Sequence, residues 1–208
     1  MASTKARSSS STSTRILVLS DHSSDSQVGG FPYTVKWPKH GGEKLTPLLC
    51  LGPQLLSAAG IAIQKTQCLS VFAKTSAPRE LVIHDQPKKK DLAALPAAVL
   101  LHERTDRPNV DRKAPTLPWP SPCGLRVGEE QDDLVESERS GLCISKIAGT
   151  PGWLQDPIEL PGLTSVLQIS AKTLIMAGAQ DDPLRGGVAY LFLDRAAPGK
   201  GVFFSQFT

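Results

Sequence analysis

Carboxylates are the chemically capable side chains that the sequence concentrates most densely. Six of them fall within ten residues: Glu129, Glu130, Asp132, Asp133, Glu136 and Glu138. General acid–base catalysis needs two carboxyl groups in different environments, and a calcium loop needs a glycine at a set place among its ligands. A single stretch without such a glycine meets neither requirement. The segment therefore predicts a solvated acidic loop, whose functional use would be to dock a basic protein.

Histidine, cysteine and serine offer fewer chemical combinations. The four histidines form no His-x-x-x-His pair and the four cysteines form no Cys-x-x-Cys pair, so we expect no bound metal and no cofactor. Cys50 and Cys143 lie in apolar runs, which predicts reduced, buried thiols. The segment SDHSSD (20–25) holds the residue types of a catalytic triad but not its long-range geometry. GGEKLT (41–46) lacks the spacing of a phosphate-binding loop and predicts a hairpin turn.

The stretch KIAGTPGWLQDP (146–157) combines turn residues with side chains that could contact a ligand. Its glycines and prolines predict a structural turn, and its tryptophan is expected to cover the end of a sheet, as is Trp37. If the protein is instead an enzyme with a cleft, the ligand-binding residues would be Trp153, Gln155, Asp156 and Gln168.

The elements that position these side chains are mostly strands. Short apolar runs bounded by polar, glycine or proline residues predict strands within 15–21, 46–56, 66–76, 79–86, 163–176, 186–195 and 200–207. A further short strand is expected around Tyr33 to Lys36. The one predicted helix is LPAAVLLHERTDR (95–107), because Pro96 suits a first helical turn and the alanines and leucines favour helix.

A weak internal repeat organises these strands. Gly30-Phe31-Pro32, LLCLG (48–52) and CLSVFAK (68–74) correspond to Gly149-Thr150-Pro151, VLQIS (166–170) and GVAYLFL (187–193), at an offset of 118 to 119 residues. We therefore expect a β-rich α+β fold with two related, mainly antiparallel β lobes that arose by duplication.

The predicted domain organisation follows from the repeat and from local composition. It is a flexible Ser/Thr-rich tail (1–14), a first lobe with the one helix (15–107), a stiff proline-rich connector (108–127) and a second lobe (128–208). One compact unit is the alternative to two lobes.

Charge and hydropathy exclude several classes of partner. Residues 1–113 carry 16 Lys/Arg against nine Asp/Glu, whereas residues 114–208 carry seven against eleven. The basic charges of the first part are scattered, and the only run is Lys88 to Lys90, so the pattern argues against nucleic-acid binding. No stretch approaches the roughly 20 apolar residues of a membrane span. We expect a cytoplasmic protein without membrane contact.

Five segments together resemble the YwqG-like family of bacterial proteins. They are GGFPYTVKWP, PLLCLGPQL, SKIAGTPGWLQDP, SVLQIS and GGVAYLFL, and Trp153, Gln155 and Gln168 match the family's pattern. Ala148, Thr150, Ser170 and the region of Cys50 to Gly52 depart from it. The resemblance implies a β-rich α+β fold with internal duplication, and no particular chemistry, because the family has no established general function.

The sequence leaves two functions open. The first is a non-enzymatic protein-binding module, in particular an immunity-type protein that neutralises a cognate bacterial toxin whose surface is basic. Its partner-binding residues would be Glu129, Glu130, Asp132, Asp133, Glu136 and Trp119. The second is a small-molecule enzyme, hydrolase-like in type, that uses a cleft between the lobes.

Overall fold

The computed structural model describes most of the predicted strands. The described residues are 14–20, 24–30, 32–34, 36–74, 91, 95–109, 121–131, 145–180 and 182–206, and at 14 and 129–131 only the backbone is described. The predicted strand at 79–86 lies outside these residues.

Strands dominate the described part of the chain. The strands of the first part are β1 (Thr14–Ser20), β2 (Ser26–Val28), β3 (Lys39–His40), β4 (Glu43–Lys44), β5 (Thr46–Leu51), β6 (Gln67–Ala73), β7 (Ala97–Glu103) and β8 (Cys123–Gln131). Those of the second part are β9 (Lys146–Ile147), β10 (Thr164–Ser170), β11 (Val188–Leu193) and β12 (Gly201–Gln206). Two six-residue helices, α1 (Pro53–Ala58) and α2 (Ala171–Met176), follow β5 and β10.

Ten of these strands form one antiparallel sheet. Their order is β12-β11-β10-β9-β1-β8-β2-β5-β6-β7, while β3 and β4 pair separately around the predicted turn at Gly41 and Gly42. We call β2, β5, β6 and β7 the first wing and β9 to β12 the second wing, with β1 and β8 between them. The sheet curls until its edge strands meet, since a Cβ added to Gly201 of β12 would lie 3.3 Å from Cγ1 of Val99 in β7.

One face of the sheet carries the main hydrophobic core. Strand residues of both wings join it, among them Leu49, Leu69, Leu167 and Leu191, and both helices pack onto it. The opposite face of the second wing carries a separate cluster with Tyr190 at its centre. Burial of both faces explains the nearly continuous apolar runs of β5 and β11, whose residues are all buried.

The same local arrangement occurs at the start of the helix in each wing. In the first wing the Ser26 hydroxyl accepts a hydrogen bond from the amide of Gly52, at 2.8 Å, just before α1. In the second wing the Ser145 hydroxyl accepts one from the amide of Ser170, at 3.0 Å, just before α2. In both cases the serine is buried and lies at, or just before, the start of a short strand. Its hydrogen bond fixes the point where the neighbouring strand of the sheet, β5 or β10, ends and a helix begins.

The predicted helix at 95–107 is wrong. Residues Ala97–Glu103 form β7, which pairs antiparallel with β6 along its whole length. Alanine and leucine favour helix locally, but β6 is a buried strand that needs a second hydrogen-bonding neighbour, and Val99 suits a strand well. Tertiary pairing overrides local propensity here.

Three strand predictions also need correction. Residues 33, 34 and 36 are not in a strand, and the nearest pair of strands is the β3–β4 hairpin instead. The predicted strands at 46–56 and 163–176 each end early, at Leu51 and Ser170, and continue as α1 and α2. In each case a residue that favours the start of a helix ends the strand. Pro53 lies in the first turn of α1, and the Ser170 hydroxyl caps α2 by accepting a hydrogen bond from the amide of Thr173.

Candidate functional site

Three buried side chains of the second wing hold the loop 150–156, and we call Gln168, Tyr190 and Gln206 the loop-anchoring cluster. Gln168 on β10 lies directly opposite Tyr190 on β11, so their side chains share a face of the sheet. The Gln168 Oε1 accepts from the amide of Gly152 at 2.7 Å, and the Tyr190 hydroxyl donates to the carbonyl of Gly152 at 2.8 Å. Both backbone groups of one glycine are therefore fixed.

Gln206 on β12 extends the cluster along the loop. Its Oε1 accepts from the amides of Leu154 and Gln155 at 3.1 and 3.2 Å, and its Nε2 donates to the carbonyl of Asp156 at 3.2 Å. Because Gln206 is 1% exposed, these bonds lie out of water, where each counts for more than on the surface. The loop is thus held in one conformation by side chains of three different strands.

Trp153 closes this loop over the sheet. Its ring lies 4.8 Å from that of Tyr190 and stacks on Phe192 and Phe204 at 6.0 and 6.4 Å between centroids. Burial raises the pKa of the Tyr190 hydroxyl, an effect that the hydrogen bond from the Leu154 amide opposes. The tyrosine therefore stays protonated and continues to donate its hydrogen bond in alkaline solution.

The four residues proposed for a ligand are brought together here. Trp153, Gln155 and Asp156 lie on the anchored loop, and Gln168 holds its first part. Sequence reasoning missed Tyr190 and Gln206, which do most of the anchoring. The available signal was a polar side chain within each of two apolar runs, VAYLFL and GVFFSQ.

Strands β5, β6 and β7 of the first wing carry a group of nucleophilic and basic side chains, and we call Cys50, Cys68, Ser70 and His102 the thiol–imidazole cluster. Cys50 lies opposite Ser70, and Cys68 lies opposite His102. The His102 Nδ1 is 2.9 Å from the carbonyl of Glu103, which can only accept, and its Nε2 is 2.9 Å from the Ser70 hydroxyl.

The two thiols of this cluster lie on neighbouring strands and differ in acidity. Interaction with the Cys68 thiol, together with the Arg104 charge and against the effect of burial, lowers the pKa of Cys50. Interaction with Cys50 and burial raise the pKa of Cys68. Ser70, Cys50 and Cys68 are 1%, 4% and 0% exposed, which keeps these nucleophiles away from solvent in the present conformation.

A cavity of about 590 Å³ opens at the end of the first wing. Gln27, Tyr33 and Arg104 lie on its wall, with Cys123 and Met176. A second cavity of about 530 Å³ lies on the far side of Ser24, between α1 and β8.

Two of the six proposed partner-binding residues lie in the part of the chain that the structure describes. Glu129 and Glu130 lie on β8, where the backbone of Glu130 is paired with that of Arg15 in β1. Asp132, Asp133, Glu136, Glu138 and Trp119 lie outside the described residues.

Among the residues that the structure describes, no group of three or more His, Cys, Asp or Glu side chains could hold a metal ion. None of the described helices is long and apolar enough to cross a bilayer. Comparison of the chain with family models, with curated proteins and with solved structures finds no match.

Proposed function

We propose that the protein is a non-enzymatic protein-binding module that presents its loops from a rigid sheet. The observation that carries this proposal is the loop-anchoring cluster, which fixes the loop 150–156 through Gly152, Leu154, Gln155 and Asp156. A loop that is already ordered loses little conformational entropy on binding, and this favours recognition. The side chains of Gln168 and Trp153, which could have contacted a substrate, instead hold the loop on the sheet.

The proposed partner is a protein with a basic surface, in the manner of a bacterial toxin bound by its immunity protein. The support is the acidic segment Glu129, Glu130, Asp132, Asp133 and Glu136, together with Trp119 as an apolar anchor. Opposite charges speed association and select the partner, while a buried aromatic residue contributes most of the affinity. A cytoplasmic location is part of this proposal and is supported by free thiols at Cys50, Cys68 and Cys123.

We also propose that the two wings arose by duplication and that the chain is related to YwqG-like proteins. Support comes from matched hydrogen bonds: the amide of Gly29 donates to the carbonyl of Leu48, and that of Ala148 donates to that of Val166. Gly29 and Ala148 also share a positive φ, 69° and 59°. An alanine tolerates this conformation poorly, so its presence where a glycine would suit is consistent with descent from a common turn.

The second candidate function is a small-molecule enzyme, and the Ser70–His102 pair favours it. A serine hydroxyl within hydrogen-bond distance of one imidazole nitrogen, with the other nitrogen facing a carbonyl, is the arrangement that activates a serine nucleophile. Reaction would require Ser70, now 1% exposed, to become accessible.

Affinity purification separates the two functions. The tagged full-length protein, captured from a lysate of its source organism and analysed by mass spectrometry, should retain one stoichiometric partner that carries excess basic charge. The matched variant replaces the five acidic residues by Asn or Gln and should lose it, whereas Ser70→Ala should keep it. If the neutralised variant keeps the partner, the acidic segment is not the binding site. If the wild type hydrolyses members of an ester panel and Ser70→Ala does not, the result favours the enzyme.

A further inference from the structure

We infer that the cavity at the end of the first wing binds a small organic anion that has an apolar body. This site goes beyond the proposed protein-binding function and uses other residues. Its volume of about 590 Å³ lies within the usual range for small-molecule sites.

Arg104 is the central residue of this site. Among the described residues that line the cavity it is the only charged one. Its guanidinium lies 4.3 Å over the ring of Tyr33, and its Nη1 donates to the backbone carbonyl of Asp25 at 3.1 Å. These two contacts hold the planar group in place while leaving most of its N–H groups available.

Asp25 contacts this arginine through its backbone carbonyl, and its carboxylate binds other groups. The Asp25 carboxylate accepts from the amide of Gln54 and from the hydroxyl of Ser26, both at 2.8 Å. Within the part of the chain that the structure describes, no carboxylate forms an ion pair with Arg104. The positive charge of the cavity is therefore left for a ligand, and a guanidinium binds planar carboxylate and tetrahedral phosphate oxygens equally naturally.

The rest of the wall matches the other part of such a ligand. Gln27 and Tyr33 add neutral N–H and O–H groups to the lining, and Pro122 and Met176 provide apolar surface. Met176 is 69% exposed, which is unusual for a large apolar side chain and places it at the mouth of the cavity. An anionic head with a ring or short chain behind it would use both surfaces.

The test is calorimetric titration of the full-length protein with 3-phenylpropionate, its uncharged amide and phenyl phosphate. At least one of the two anions should bind, and the amide should bind at least about tenfold more weakly, because it forfeits the charge-assisted hydrogen bonds to Arg104. The tighter of the two anions identifies the head group as carboxylate or phosphate. No saturation by either anion at about 10 mM, or equal binding of the amide, would overturn the inference.

Variants locate the site. Arg104→Gln should weaken anion binding at least about tenfold, whereas Arg107→Gln, an exposed arginine three residues away, should leave it unchanged. Because Arg104 also contacts Tyr33 and Asp25, a second pair tests the mouth without disturbing the fold. Met176→Glu should weaken binding by charge repulsion and Met176→Gln should not, and an equal effect of these two substitutions would contradict the inference.

Discussion

Replacing Gln206 by leucine should release the loop 150–156 and lower the free energy of unfolding by about 2 kcal/mol. The substitution removes one acceptor shared by two amides and one donor to a carbonyl. Each buried polar group left without its partner costs about 1–3 kcal/mol. The total stays near the lower end because Leu154 also donates to the Tyr190 hydroxyl, at 3.3 Å, and because Asp156 is exposed to water.

Urea unfolding measures the global change and amide hydrogen exchange measures the local one. The amides of Leu154 and Gln155 should exchange faster in the variant, while those of β5 and β6 should change only with the global stability. Gln54→Leu is the matched control: its side chain is exposed on α1, so we expect a change within about 0.5 kcal/mol. A loss below about 0.5 kcal/mol for Gln206→Leu, with unaltered exchange in the loop, would refute the anchoring role.

Three further predictions follow from buried groups. Because burial raises the pKa of Tyr190, the protonated tyrosine contributes to folding stability below pH 10, and this contribution is lost as the pH rises above 10. Above pH 10 the wild type should therefore lose up to about 1.4 kcal/mol of unfolding free energy per pH unit more than Tyr190→Phe. Parallel stability curves for the two proteins would contradict this. Gly52→Ala should lower the free energy of unfolding in urea by about 1–3 kcal/mol, because the added Cβ would lie 2.6 Å from a backbone oxygen. Gly199→Ala is the control, since its Cβ would make only an ordinary contact at 3.4 Å. Similar losses of stability in the two variants would argue against this packing. In a variant whose other two cysteines are serine, slow alkylation mapped by mass spectrometry should modify Cys50 before Cys68, and the reverse order would show that their relative acidities are misassigned.

Strands that consist of a short apolar run were predictable from the sequence. β6 and β11 lie within the runs expected for them and β1 overlaps its run, because a strand buried in a sheet needs a short, nearly continuous apolar segment. β7 was not predictable, since its alanines and leucines favour a helix and only the pairing with β6 makes it a strand. The β-rich, mainly antiparallel class is confirmed, whereas duplication and kinship to YwqG-like proteins stay predictions.

The candidate site was predictable only in part, for a reason of distance along the chain. Trp153 and Gln168 were visible within their own segments as a turn tryptophan and a glutamine in an apolar strand. The residues that complete the site lie far away along the chain. Gln206 forms its hydrogen bond to Leu154 across 52 residues, and Tyr190 forms its hydrogen bond to Gly152 across 38. Such contacts depend on strand register, which local sequence does not specify.

We propose that the function of this sheet is to bind a basic protein. The most direct test of that function is calorimetric titration of the purified protein with the partner captured from lysate, at low and at high salt. We expect saturable one-to-one binding that weakens with salt and is lost when Glu129, Glu130, Asp132, Asp133 and Glu136 are neutralised. Failure to capture any partner, or an affinity that neither salt nor neutralisation changes, would contradict it.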